Sequence, residues 1–184
     1  QLERLSLTGK HMKLQKSLDA FLFCCYAGMR YSDFTNLSKK NIVGINQETW
    51  LIYKSVKTGT EVRLPLYLLF AGKGIVILNK YRNNLEDFFR LRDNSNINKD
   101  LIIIAKLAGL SKKISFHTAR HTNATLLIYN GVNITTVQKL LGHKSVKTTQ
   151  VYTNIMDMTI VHDLEKMKQA ALGIKKKTDN SFNK

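Results

Sequence analysis

The sequence predicts a mainly α-helical domain that contains one small antiparallel β-sheet (an α+β fold). Apolar residues recur at spacings of three and four through most of the 184 residues, which is the periodicity of helices with one buried face. One stretch, residues 41–66, is instead rich in strand-forming residues around a tight turn. A composition of 43% hydrophobic and 23% charged residues is that of a globular chain, and the length fits one domain with a sizeable core.

Two helices are predicted near the start of the chain. Residues 12–27 place their apolar side chains on one helical face, which consists of Leu14, Leu18, Phe21, Leu22 and Cys25. Gly28 stands where a C-terminal cap would end this helix, so Arg30 emerges just past the helix end. The following sequence YSDFTNL predicts a second, short helix with Asp33 in its favourable first turn.

A β-hairpin is predicted next. The segments WLIYKSV and EVRLPL are rich in strand formers and bracket the turn signal KTGT. Lys57 lies at the tip of this turn, and Lys54, three residues earlier, is the alternative for any role given to a hairpin lysine. Pro65 is expected at a strand end, where its missing N–H costs least.

The rest of the chain predicts further helices, several of them followed by a glycine. They cover residues 73–82, 97–108, 118–130, 134–141, about 145–152, and 158–171. The last helix has an apolar face that suits docking on a neighbouring copy or folding back on its own core; the face consists of Ile160, Val161, Leu164 and Met167. Residues 173–184 are a polar, basic, flexible tail in this interpretation, so the domain is expected to span residues 1–172.

Positive charge is the first clue to function. The 29 Lys and Arg residues against 13 Asp and Glu residues give a formal net charge of +16, and such a field attracts polyanions. No transmembrane segment or secretory signal is recognisable. Cys24 and Cys25 are neighbours in an apolar run, where a disulfide would be strained, so buried free thiols are expected. We therefore expect a cytoplasmic protein that binds a polyanion and no membrane.

The second half of the chain carries an unusual set of side chains. His117 and Arg120 lie three residues apart, so on a helix both project from one face and can grip one anion. His143 follows a glycine helix stop, and Tyr152 follows nine residues later. No cluster of carboxylates accompanies these residues, which argues against a two-metal nuclease and favours phosphoryl transfer by fixed cationic donors.

A zinc site is the alternative interpretation of the histidines. His117 and His121 stand four residues apart, the spacing of a zinc pair, and His143 could act as a third ligand. No glutamate stands between the pair as in H-E-x-x-H, and no carboxylate lies nearby in sequence to orient them. We therefore expect no metal site.

Four segments, in this order, resemble signature segments of the tyrosine recombinase (phage-integrase-like) catalytic domain. They are GMRYSDF, VKTGTEVRLPL, FHTARH and LLGHKSVKTTQVY, and the similarity extends over about residues 10–168. The resemblance implies a site-specific DNA recombinase or integrase that uses neither metal nor cofactor. In such enzymes a tyrosine attacks a backbone phosphate of duplex DNA, a 3′-phosphotyrosine forms, and a 5′-hydroxyl leaves.

The same resemblance assigns roles to four residues of the reaction itself. Tyr152 matches the nucleophile. Arg30 and Arg120 match the two arginines that hold the non-bridging oxygens, where planar guanidinium groups suit the growing negative charge. Lys57 matches the hairpin lysine that protonates the leaving 5′-oxygen as a general acid.

Three further positions match supporting roles, and one departs from the family pattern. His117 matches a histidine that accepts the tyrosine proton or hydrogen-bonds the phosphate, and His143 matches one that braces a non-bridging oxygen. Asp33 matches an acidic position whose buried carboxylate orients and compensates the first arginine. Asn123 stands where related chains often carry an apolar residue, which predicts looser packing beneath the site.

The resemblance also implies partners and alternatives. Recombination brings four copies onto two duplexes, so we expect a tetramer on DNA, a monomer without it, and accessory DNA-bending proteins. The N-terminal core-binding domain of complete family members is expected to be absent from this chain. Integrases of bacterial conjugative transposons and prophages are the most similar group. A chromosome-dimer-resolving recombinase, a type IB topoisomerase-like enzyme and a non-catalytic DNA-binding regulator are the alternatives.

Overall fold

The computed structural model describes residues 1–152 together with Leu164, Met167 and Lys168. Its strands are β1 Ile42–Ile45, β2 Glu48–Lys54 and β3 Glu61–Pro65. Its helices are α1 Gln15–Ala27, α2 Tyr31–Thr35, α3 Lys73–Lys80, α4 Leu85–Phe89, α5 Asn94–Leu107, α6 Phe116–Tyr129, α7 Ile134–Leu141 and α8 Lys147–Gln150. The predicted fold class is confirmed.

Two predicted features fall mostly outside these residues. The helix expected over 158–171 is described only at Leu164, Met167 and Lys168, which are exposed. The basic tail, 173–184, lies wholly outside the described residues. Within the described part of the chain, no helix is both long and apolar enough to cross a membrane.

Helix α1 lies at the centre of the core. Its residues from Ser17 to Ala27 are buried almost throughout, and α3, α5 and α6 all pack against it. The helix begins at Gln15, after a 3-10 segment over Gly9–Leu14, rather than at the predicted residue 12. Gly28 ends it in a left-handed conformation with φ +67°, and its N–H donates to the Cys24 carbonyl at 2.9 Å. The predicted cap is therefore confirmed.

The sheet is antiparallel with the strand order β1-β2-β3. The hairpin of β2 and β3 was predicted, whereas β1 adds a third strand that the sequence did not predict. Leu51 and Leu64 face each other in the β2–β3 register and are fully buried, so this face of the hairpin packs on the core. Lys54 pairs with Glu61 at the end of the ladder. Residues 55–60 therefore form the turn that projects from the sheet.

An aromatic cluster fixes α2 relative to α6. Phe34 is its hub, with ring centroids 5.3 to 6.1 Å away on Phe23, Phe88, Phe89 and Phe116. Two of these rings come from α4, a five-residue helix that the sequence did not predict. Because Asp33 precedes Phe34 and His117 follows Phe116, the cluster sets the distance between two predicted site residues.

The helices of the second half begin and end at defined caps. Helix α5 begins at the Asp93 cap and α6 at a Ser115–Thr118 capping box, a few residues before the predicted positions. The Asn98 side chain of α5 accepts the Phe116 N–H at 2.8 Å, which ties α5 to the start of α6. Helix α7 has its predicted bounds and ends at Gly142, and α8 is shorter than the predicted 145–152.

Candidate active site

The predicted site residues come together where the ends of α1 and α7 meet α6 and the β2–β3 turn. Arg30 lies between α1 and α2, and its Nη1 is 3.2 Å from the hydroxyl oxygen of Ser55, the first residue of the β2–β3 turn. Arg120 of α6 reaches the Gly28 carbonyl at the end of α1 and the Leu141 carbonyl at the end of α7. The site therefore forms where α1, α6, α7 and the hairpin meet.

Arg120 is the most deeply buried cation of the site. Its side chain lies in the core with 1% exposure, and its Nη1 and Nη2 donate to the carbonyls of Gly28 at 2.8 Å and Leu141 at 2.6 Å. Burial lowers the Arg120 pKa to about 10, and the nearby Arg30 contributes in the same direction. Because that value lies well above neutral pH, Arg120 is a fixed positive charge held by the backbone.

Asn123 strengthens the packing beneath this arginine. It is 2% exposed, and its amide nitrogen donates to the Cys25 carbonyl at 3.0 Å and the Tyr26 carbonyl at 2.9 Å. A Cβ atom added at Gly28 would lie 2.6 Å from the Asn123 Oδ1. The structure thus contradicts the looser packing predicted for Asn123, because a polar side chain here satisfies two carbonyls in the last turn of α1.

Asp33 provides the negative charge that pairs with Arg30. Its side chain is fully buried, and its Oδ2 lies 3.4 Å from the Nη1 of Arg30. Its Oδ1 accepts the Val56 N–H at 2.8 Å, and both oxygens are 3.3 Å from the Ser55 hydroxyl. Asp33 has the predicted contact with Arg30 and also anchors the turn that carries Lys57, which the sequence did not predict.

The β2–β3 turn is held from a second side as well. The Thr58 hydroxyl donates to the Gly142 carbonyl at 3.0 Å, so the turn is docked on the C-terminal end of α7. Lys57 itself is exposed, and it is one of the cations that lower the pKa of His117. Lys54, the alternative, is placed opposite Glu61 in the strand ladder. The turn position therefore favours Lys57 as the lysine that faces the site.

His143 is a neutral, buried imidazole. It is 8% exposed, and its Nδ1 lies 2.9 Å from the Thr149 hydroxyl of α8. Burial lowers the His143 pKa to about 4, with the positive charges of Arg120 and Arg30 adding to the effect. Its backbone is fixed too, because Gln138 of α7 exchanges side-chain and main-chain hydrogen bonds with it.

Tyr152 lies just after α8 with its ring buried. It is 6% exposed, and burial raises the pKa of its phenol while Arg120 and Arg30 lower it. Its ring contacts that of His121 in α6 at a centroid distance of 5.4 Å. The phenol is therefore held within the field of both arginines.

His117 occupies the exposed rim of the site. Its pKa is lowered, first by partial burial and then by the positive charges of His121, Arg120, Arg30 and Lys57. It is thus a neutral imidazole at pH 7, able to accept a proton. Its ring lies edge-on to that of His121 at 4.4 Å. Among the described residues, no group of three His, Cys, Asp or Glu side chains is arranged to hold a metal ion.

The arrangement combines two guanidinium groups, two neutral imidazoles, a lysine and a buried phenol. Such a set can bind a phosphate, stabilise charge on its oxygens and present a nucleophile to it. Sequence reasoning missed Ser55, Thr58 and Thr149, which tie the site together through hydrogen bonds. Ser and Thr are common and carry no distinctive spacing here, so only the fold reveals these contacts.

Known proteins resemble this chain in both sequence and fold. The tyrosine recombinase XerC of Rickettsia prowazekii (strain Madrid E) is 30% identical over 185 residues, covering 95% of this chain and 58% of that protein. A XerA recombinase crystal structure matches with TM-score 0.62 and 24% identity, covering 89% of this chain and 65% of that one. A lambda integrase dimer bound to a COC′ core site matches with TM-score 0.60 and 22% identity, covering 75% and 52%.

The aligned share of each protein and the sequence identity limit what these similarities show. The chain spans less than two thirds of the length of the curated XerC relative. The structural neighbours are less than 25% identical to it in sequence, so their similarity establishes the fold alone. The sequence model of the phage integrase family matches residues 4–158, which is most of the chain and includes all of the site just described. The chain therefore belongs to the phage integrase family.

Proposed function

We propose that this chain is the catalytic part of a tyrosine-type site-specific DNA recombinase that cuts and rejoins duplex DNA. The observation that carries the proposal is the buried phenol of Tyr152 in the field of Arg30 and Arg120. A tyrosine in this setting is suited to attack a phosphate that the two guanidinium groups hold. The family membership supports the same conclusion.

The chemical step is a transesterification. The Tyr152 oxygen attacks the phosphorus, the bond from phosphorus to the 5′-oxygen breaks, and a 3′-phosphotyrosine forms. The Tyr152 proton passes to the neutral His117, and the leaving 5′-oxygen takes a proton from Lys57. One phosphate ester bond replaces another, so attack by a second 5′-hydroxyl reverses the step and rejoins DNA without an external energy source.

The remaining residues bind the charge that develops on the phosphate. Arg30 and Arg120 contact the non-bridging oxygens, and Asp33 keeps Arg30 oriented through its ion pair at 3.4 Å. In the tautomer protonated at Nε2, the Nδ1 of His143 accepts from the Thr149 hydroxyl, and its Nε2–H is free to donate to a phosphate oxygen. Donors fixed in advance stabilise the transition state without reorganising.

Duplex DNA is the proposed substrate. The net charge of +16 favours a polyanion, and the similar structures include a XerH recombinase bound to its difH substrate and a Tn1549 transposon integrase bound to circular intermediate DNA. We propose that four copies act on two duplexes, with a monomer in the absence of DNA. Similarity to both Xer recombinases and transposon integrases supports site-specific recombination as the shared activity.

The proposal is tested by trapping the covalent intermediate. The protein is incubated at low salt, with a chelator, with a pool of nicked duplexes whose cleavage releases a short 5′-hydroxyl fragment that diffuses away. The expected result is a protein–DNA adduct on a denaturing gel, and none with Tyr152→Phe. Tyr129→Phe is the matched control, because Tyr129 is 49% exposed at the end of α6, outside the site, and should leave the adduct unchanged.

The outcomes separate the candidate functions. An adduct that persists in Tyr152→Phe would assign the nucleophile elsewhere. Retained DNA binding without any adduct, in this chain and in the full-length protein, would favour a non-catalytic DNA-binding protein. Relaxation of supercoiled DNA without any strand-exchange product would favour a type IB topoisomerase-like activity.

A further inference from the structure

His121 lies between two residues of the proposed reaction, His117 and Tyr152. It is one helical turn after His117 on α6, and the two rings are 4.4 Å apart at an interplanar angle of 89°. On its other side, the His121 ring is 5.4 Å from that of Tyr152, at an angle of 63°. The three rings therefore form a continuous chain of edge-to-face contacts across the rim of the site.

The difference in exposure shows what His121 does to its neighbour. Tyr152 is 6% exposed, whereas His121 is exposed on the surface of α6. An exposed ring that contacts a buried one covers it from the solvent side. His121 thus closes the site over the Tyr152 ring on the side of α6.

Within the residues that the structure describes, the helix that leads to Tyr152 is short, so a contact from a longer helix helps to place its ring. Tyr152 follows the four-residue helix α8, and its N–H donates to the Thr149 carbonyl at 3.0 Å. Its ring must nevertheless stay aligned with a phosphorus atom, since small misplacements of a reacting group cost a large part of the rate. The His121 side chain of α6, a 14-residue helix with a capping box, gives the Tyr152 ring a second support.

We infer that His121 is a positioning residue, whose ring holds the Tyr152 side chain in line for attack. This inference rests on the proposed function. His121 acts through Tyr152 and exchanges no proton with the substrate. An edge-to-face aromatic pair changes an equilibrium by about two- to tenfold, so the rate of DNA cleavage should depend on this contact to that extent.

The electrostatic surroundings provide an independent signature. His121 faces His117 and Tyr152, and the other charged groups that act on His117 are Arg120, Arg30 and Lys57. Positive charge on His121 lowers the pKa of His117. Replacing His121 by phenylalanine keeps a ring beside Tyr152 but removes that charge, so the pKa of His117 should rise. This shift reports that the His117 and His121 rings are adjacent, and the cleavage rates of the two His121 variants report the positioning role.

The test compares His121→Ala, His121→Phe and the control Leu126→Ala, an exposed position on the same helix. Single-turnover adduct formation is measured with saturating nicked duplex, alongside DNA affinity and the melting temperature. We expect His121→Ala to slow cleavage about two- to tenfold at unchanged DNA affinity, and His121→Phe to recover most of that loss. In the free protein, NMR titration should give a higher pKa for His117 in both His121 variants than in Leu126→Ala.

Two results would contradict the positioning role of His121. If His121→Ala cleaves as fast as the unmodified protein, or if His121→Phe is as slow as His121→Ala, the positioning role is wrong. An unmodified protein that forms no adduct would instead remove the proposed function. In that case the NMR titration still tests whether the His117 and His121 rings are adjacent. An unchanged His117 pKa in His121→Ala would contradict that contact.

Discussion

The candidate active site has a buried half and an exposed half, and they are built differently. Arg120 and His143 are 1% and 8% exposed, and each is fixed by hydrogen bonds to the fold. Lys57 and His117 lie at the surface. Arg120 and His143, assigned to bind phosphate charge, thus form the buried half, while Arg30, with the same assignment, is partly exposed. Lys57 and His117, assigned to give and accept protons, form the exposed half.

This difference indicates how the two tasks are divided. Stabilising charge on a phosphate requires donors that are oriented before the substrate arrives, and burial provides this orientation. Transferring a proton requires a side chain that reaches an atom of the DNA, and an exposed residue on a docked turn can do so. The buried half should therefore respond to substitution in both stability and activity, and the exposed half in activity alone.

Arg120→Lys should have the largest effect. Lysine cannot donate in the planar arrangement that serves the carbonyls of Gly28 and Leu141 and still contact a phosphate. We expect adduct formation to fall by about 10³-fold and the free energy of unfolding to fall by about 1–3 kcal/mol. Single-turnover cleavage and urea unfolding measure the two effects.

The control for this substitution is Arg63→Lys, since Arg63 is an exposed residue of β3 that pairs with Glu61. It should change neither quantity measurably, because exposed ion pairs contribute little. If Arg120→Lys were as stable and as active as Arg63→Lys, the buried half would not be a preorganised phosphate site.

Asp33→Asn should have the next largest effect, on stability. The substitution leaves Arg30 without its buried counter-charge and weakens the anchor of the turn at Val56. Removing one partner of a buried ion pair costs about 3–5 kcal/mol, and the remaining exposure of Arg30 places the expected loss at the lower end. Asp87→Asn is the matched control, because its pair with Lys16 is solvent-exposed and should cost less than about 1 kcal/mol. Equal losses in urea unfolding would contradict the distinction.

Acidification should have a smaller effect. The folded protein holds the His143 pKa at about 4 and lowers that of His117, whereas the unfolded chain takes up these protons near pH 6.5. Stability is therefore lost as the pH falls below about 6.5, because the unfolded state then binds more protons. Between pH 7.5 and 5.5 we expect the free energy of unfolding to decrease by about 1 kcal/mol. His143→Gln should flatten this dependence, and an unchanged pH profile in that variant would show that His143 is not its source.

The sequence points to candidate site residues but not to the contacts that hold them in place. Arg30, His117, Arg120, His143 and Tyr152 were singled out through the four segments that resemble the tyrosine recombinase family. The bond from Thr58 to the Gly142 carbonyl joins residues 84 positions apart, and those from Asn123 to α1 span more than 90. Such pairs exist only once the tertiary fold is formed, and no local pattern encodes them.

The same limit applies to short elements. Helix α4 has five residues, too few for a helical periodicity to be recognised, and the sequence did not predict it. Helix α8 was predicted, but over a longer range than its four residues. The sequence also left Lys54 and Lys57 as alternatives. The strand register pairs Lys54 with Glu61 and leaves Lys57 in the turn, which supports the proposal that Lys57 is the lysine of the site.

The division of labour between the two halves is tested most directly with a DNA substrate whose 5′-bridging oxygen at the scissile position is replaced by sulfur. A thiolate leaves without needing a proton, so a variant that lacks only the general acid should recover its rate on this substrate. We predict that Lys57→Ala is slowed about 10²-fold or more on the oxygen substrate and cleaves the sulfur substrate at nearly the rate of the unmodified protein, while Arg120→Lys stays slow on both. Lys54→Ala serves as the control for the lysine assignment. Recovery of Arg120→Lys on the sulfur substrate, or persistent slowness of Lys57→Ala on it, would contradict the account.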